Sequence, residues 1–119
     1  MKNILICIRS APHGQHQGPA ALDVLLTAAA FEHPVSLLLL DDGVYQLKSQ
    51  QAPHTSIGLK NTAAIYKSLT LYDIENVYVK AESLDTRQLT PTDLLIPVEL
   101  ITASAISALL NQQDVILNF

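Results

Sequence analysis

The sequence predicts an α/β protein of three layers, α/β/α, built around a mostly parallel five-stranded sheet. Three observations carry this expectation. Short runs apolar at every position recur along the chain, as strands covered on both faces require. Between several of them, apolar residues repeat at i, i+3, i+4 and i+7, the stripe of a helix lying on a core. The alternation covers the 119 residues without a linker, repeat or low-complexity tract, so a single domain over 1–119 is expected.

Taken in order, Ile4 to Ile8 is the first strand candidate, rich in β-branched side chains. Leu22, Leu25, Leu26 and Ala29 form the first helical stripe, with Asp23 and Thr27 turned outward. Val35 to Leu40 is the second strand, stopped by the turn signal Asp41-Asp42-Gly43. A short amphipathic helical piece is expected over Val44 to Lys48, then a loop from Gln50 to Gly58. Thr62, Ile65, Tyr66 and Leu69 repeat the helical stripe, with Lys60 and Lys67 off it. Val77 to Val79 is the third strand and Leu94 to Val98 the fourth, with Pro97 confining the fourth to a strand end or sheet edge. Ile106, Leu109 and Leu110 mark the last helix, above Ala103 and with Thr102 as N-cap, and Val115 to Leu117 is the fifth strand. Strand order is not readable from this pattern.

Composition excludes several functions. Charged residues are 15% of the chain against 49% hydrophobic, which leaves apolar surface to spare for a partner. A net charge of −4 and the absence of a basic cluster argue against direct nucleic-acid binding, because phosphates need neutralising Lys and Arg. Met1-Lys2-Asn3 runs straight into the first strand without the long apolar core of a signal peptide. Every apolar run falls short of the roughly 20 residues of a membrane span, so a cytoplasmic location is expected.

The candidate chemistry is sparse. The loop from Ser10 to Pro19 follows the first strand, where open α/β sheets bind ligands. Its Gly14 and Gly18 match neither the dinucleotide nor the nucleotide fingerprint, and it has no lysine for a phosphate. His13 and His16, with His33 and His54 elsewhere, lack the convergent spacing of a zinc site. Asp41-Asp42 and Asp73-x-Glu75 stand at predicted element ends, where turn and cap duty is expected. The single cysteine, Cys7, excludes an internal disulfide, and inside an apolar strand its thiol should be buried and its pKa raised. No catalytic, cofactor-binding or metal-ligating residue is therefore expected.

Five segments together resemble the TusC/DsrF family of sulfur-relay subunits. They are Ser10-Ala11-Pro12-His13-Gly14, Leu22-Asp23-Val24-Leu25-Leu26, Asp42-Gly43-Val44-Tyr45-Gln46-Leu47, Leu71-Tyr72-Asp73-Ile74-Glu75 and the ending Asp114-Val115-Ile116-Leu117-Asn118-Phe119. The resemblance implies a DsrE/DsrF-like fold and assembly with TusB-like and TusD-like subunits as a dimer of heterotrimers. It also implies persulfide carrier proteins as partners, and sulfur delivered to 2-thiouridine at the tRNA wobble position. In the related TusD-like subunit the sulfur-carrying cysteine lies near the end of the third strand. The matching stretch here is Val77-Tyr78-Val79-Lys80-Ala81-Glu82-Ser83-Leu84, with Val79 in the place of the thiol and Lys80 beside it. Neither side chain holds sulfur covalently, so the resemblance implies a non-catalytic subunit.

Two rivals follow from the residues. One is a stand-alone α/β hydrolase or transferase using the loop from Ser10 to Gly18, which a deep pocket lined by Ser10, His13 and Asp42 would support. The other is a homo-oligomeric regulatory or binding module of the same fold without sulfur transfer. A subunit of a dissimilatory sulfur-oxidation complex is a third reading within the resemblance.

Overall fold

Ile4–Ile8 forms β1 in the interior of a five-stranded sheet, where an all-apolar, β-branched strand finds cover on both faces. A computed structural model describes residues 2–9, 17–48 and 64–119. The elements after β1 are α1 (Gln17–Ala30), β2 (Val35–Leu39), a 3-10 helix (Asp41–Leu47), α2 (residues 64–67) and a second 3-10 helix (Leu69–Tyr72). Then come β3 (Asn76–Lys80), α3 (Ala81–Thr86), a 3-10 turn (Pro91–Asp93), β4 (Glu99–Ile101), α4 (Ala103–Asn111) and β5 (Val115–Asn118).

The strand order is β4-β3-β2-β1-β5, and all four pairings are parallel. The chain thus winds outward from β1 through β2 and β3 to β4, then crosses back to lay β5 on the other side of β1. Alternation along each strand divides the core in two. Ile6, Ile8, Leu37, Leu39, Val77 and Val79 pack with Ala21, Leu22 and Leu25 of α1, Tyr66 of α2 and Leu84 of α3. Leu5, Cys7, Leu38, Leu40 and Ile101 face the opposite way, onto Leu109 of α4. Each fully buried leucine here contributes about 2 kcal/mol of transfer free energy.

Most of the expected elements are present, and the departures have local causes. The predicted first loop is shorter than expected, because α1 already begins at Gln17 and takes Pro19 into its first turn. Proline is tolerated there, since the first-turn N–H groups have no helical partner to lose. The expected turn at Asp41-Asp42-Gly43 and the helical piece after it are one continuous 3-10 helix. The fourth strand is not Leu94 to Val98. That run lies across the first core, with Leu94 buried, a bridge from Leu94 to Lys48, and the Leu95 N–H donating to the Leu47 carbonyl at 2.7 Å. Pro97 has no N–H for a ladder, and pairing with β3 starts only at Glu99. The stripe on α1 is as expected, and Thr102 caps α4 by accepting from the Ala105 N–H at 3.4 Å. Asp73 does cap duty, closing the second 3-10 helix in the left-handed region at φ 62°. The expected loop Gln50 to Gly58 lies outside the described residues.

Candidate functional site

The carboxyl ends of the parallel strands converge on one side of the sheet, where this architecture places its sites. Here β3 passes into α3 with no intervening loop, so Lys80 ends the strand and serves as N-cap residue of the helix. Val79 points into the first core and is fully buried. Lys80 is half-buried, with its ammonium 3.9 Å from Glu82 Oε2.

Around this junction a set of polar contacts ties three strand ends together. The Arg9 Nη1 donates to Asp41 Oδ2 at 3.2 Å, linking the end of β1 to the end of β2. The Asp41 N–H donates to the buried Ser83 Oγ at 2.9 Å, linking β2 to α3. Arg87, at the end of α3, donates from Nε at 3.1 Å and Nη2 at 2.9 Å to the same Asp42 oxygen, and from Nη1 to the Ser83 carbonyl at 3.2 Å. The two neighbouring aspartates therefore serve two different arginines. Asp41 can do so because it stands in the left-handed region, φ 52°, which sends the chain sharply out of β2. These contacts place α3 over the strand ends and pair Arg9 and Arg87 with the two aspartates.

The topological switch lies between β1 and the edge strand β5. The last residue closes it: the Phe119 N–H donates to the Cys7 carbonyl and the Arg9 N–H to the Phe119 carbonyl, both at 2.8 Å. Cys7 is 2% exposed, enclosed by Leu5, Leu38, Leu40, Ile101 and Leu109. Burial pushes its thiol above the ordinary thiol range, and the opposing pull of Arg9 is the smaller effect. The expected buried, protonated cysteine is what the fold contains.

Of the other sequence candidates, Ser10, His13, Gly14, His16 and His54 lie outside the described residues, and Gly18 falls in the first turn of α1. Asp42, offered to a Ser10–His13 pocket, is held by Arg87. His33 sits at the opposite, amino end of the sheet, its Nδ1 accepting from the Lys2 N–H at 3.4 Å. Sequence reasoning missed Arg9, Ser83 and Arg87 altogether. Ser83 and Arg87, four apart on a helix too short to show a stripe, were the available signal.

A family model described as DsrE/DsrF-like matches residues 2–119. The chain belongs to the DsrE/DsrF-like family. It is 39% identical over 119 residues to a protein TusC homolog of Vibrio vulnificus, covering the full length of both chains. It is 35% identical over 133 residues to the intracellular sulfur oxidation protein DsrF of Allochromatium vinosum, covering 100% of this chain and 97% of that one. The crystal structure of the ychN protein from E. coli superposes with a TM-score of 0.84 at 22% identity, over the whole of both chains. That likeness establishes the common fold. Within the family frame, the Val79–Lys80 junction is where this chain puts a buried apolar side chain and an ion-paired ammonium.

Proposed function

We propose that this protein, a single domain over 1–119, is the TusC/DsrF-type subunit of a cytoplasmic sulfur-relay complex and does not itself carry the sulfur. The family membership and the full-length similarity to a TusC homolog and to DsrF support the relay. The observation that carries the non-catalytic role is the Val79–Lys80 junction. A buried valine offers no nucleophile, and the lysine beside it has no sulfur and lies 3.9 Å from Glu82. Persulfide chemistry requires an accessible thiolate, and the one cysteine is enclosed under α4. In this reading the active thiol belongs to a TusD-like partner. A TusB-like chain completes the heterotrimer, two heterotrimers associate, and persulfide carriers deliver to the assembly. The product is 2-thiouridine at the tRNA wobble position. With a net charge of −4, this subunit leaves tRNA contact to other components.

The similarity to DsrF favours a second reading, in which the same kind of subunit serves dissimilatory sulfur oxidation. Two measurements test the proposal. Tagged protein purified from its native host should bring TusB-like and TusD-like chains with it in equal amounts, and a homo-oligomer alone would overturn the assembly. Deleting the gene should abolish wobble 2-thiouridine. Unchanged thiolation with lost sulfide or sulfur oxidation would favour the second reading.

A further inference from the structure

We infer that the amino end of the sheet carries a docking surface for a segment of another protein that presents an arginine between apolar side chains. The surface lies where α1 ends beside the second 3-10 helix. A cavity of about 350 Å³ opens there, lined by Glu32, His33, Tyr72, Asp73 and Ile74 among others. That is the low end of the range for ligand pockets, room for a long side chain and its flanks rather than a cofactor. Of the five large hydrophobic residues exposed among the described residues, three belong to this corner. Tyr72 lines the cavity at 48% exposed, and Phe31 at 73% and Leu71 at 81% are the chain neighbours of lining residues. Water penalises such exposure, and a grouping of this kind marks an interaction site.

Charge identifies the occupant. Glu32 and Asp73 stand in the left-handed region at φ 65° and 62°, each at a closed turn: the Glu32 N–H donates to the Ala29 carbonyl and the Asp73 N–H to the Thr70 carbonyl. Their carboxylates are thus carried on ordered backbone, and neither has an ion pair among the described residues. Asp41 and Asp42 at the other end of the sheet each hold an arginine. Two carboxylates beside an exposed tyrosine ring suit a guanidinium, which stacks on the aromatic face while donating to the acids. Phe31 and Leu71 then receive the apolar neighbours of that arginine. A second copy of this chain fits poorly, because its only arginines, Arg9 and Arg87, are already paired.

The test uses the full-length, ¹⁵N-labelled protein and three probes. These are the peptide acetyl-Leu-Arg-Leu-amide, the same peptide with neutral citrulline in place of arginine, and acetyl-arginine-amide. The arginine peptide should shift the amide signals of Glu32, His33, Tyr72 and Asp73, and bind about fivefold more tightly than either other probe. The double variant Glu32→Gln/Asp73→Asn should bring the arginine and citrulline peptides to equal affinity. Asparagine tolerates the left-handed backbone at 73, so the turn survives. Equal binding of the citrulline peptide, shifts confined to other residues, or a preference retained in the double variant would each overturn the inference. Acetyl-arginine-amide binding as tightly as the peptide would replace a docking surface with a small-molecule site. Sulfur transfer plays no part in this experiment, so its outcome is independent of the relay reading.

Discussion

A side chain at Gly43 would begin inside the main chain of Ile8: a Cβ built there stands 1.8 Å from the Ile8 carbonyl oxygen and 2.5 Å from its carbon. That oxygen is already the acceptor for the Leu40 N–H at 3.1 Å, so the turn leaving β2 is pressed flat against the end of β1. The only residue that permits this approach is one without a side chain.

Gly43→Ala should therefore cost about 3 kcal/mol or more, at the upper end for overpacking, because the atoms that must yield are backbone. Equilibrium urea unfolding measures it. A variant within about 0.5 kcal/mol of the parent would show that the two strand ends separate easily.

The Asp42–Arg87 pair should be worth less than its two hydrogen bonds suggest. Asp42 is 59% exposed at its side chain, and solvent screens the attraction. Asp42→Ala should cost about 0.5 kcal/mol. Arg87→Ala should cost about 1–1.5 kcal/mol, since it also strips the donor from the Ser83 carbonyl. A double-mutant cycle should return a coupling of about 0.5 kcal/mol that shrinks in high salt. A salt-independent coupling would refute the electrostatic account.

Cys7→Ala should lose about 1 kcal/mol from the small void it leaves, with the assembled complex and its thiolation intact. Incubation with a cysteine desulfurase and cysteine should add no sulfur to the isolated parent by intact mass. A stoichiometric adduct on Cys7 would refute the non-catalytic reading. The raised thiol pKa also sets a pH dependence. The folded state keeps the proton that the unfolded chain releases from about pH 8.5. Stability is thus fully present below that pH and falls as pH rises through the folded value. The fall between about pH 8.5 and 9.5 should be smaller in Cys7→Ala. Equal slopes would place Cys7 in contact with solvent.

Tyr66→Phe should be neutral or stabilising by up to about 1 kcal/mol. Among the described residues the buried Tyr66 hydroxyl has no hydrogen-bond partner, and burial drives its pKa far above the usual phenol value. Removing the hydroxyl removes a desolvated group that none of them repays. A loss above about 1 kcal/mol in thermal or urea unfolding would mean that the hydroxyl has a partner in solution.

What the sequence determined by itself was whatever depends on neighbours in the chain. The apolar runs at Ile4–Ile8 and Val35–Leu39 had to be strands covered on both faces. The spacing of Leu22, Leu25 and Leu26 had to be a helix, and Thr102 and Asp73 announced their caps by residue type. The burial of Cys7 followed from its apolar flanks. Tertiary structure alone decided the rest, because it joins residues far apart in the chain. The run Leu94 to Val98 is as apolar as a strand, yet packing on the first core and a proline without an N–H moved the pairing on to Glu99–Ile101. The six residues of α3 show too little periodicity to be read locally, and they are held by Ser83 and Arg87 against aspartates more than forty positions earlier. The order β4-β3-β2-β1-β5 and the corner shared by Tyr72 and Glu32 belong to the same class. Hydrophobic patterning specifies which face of an element is buried, and only the packed chain specifies against what.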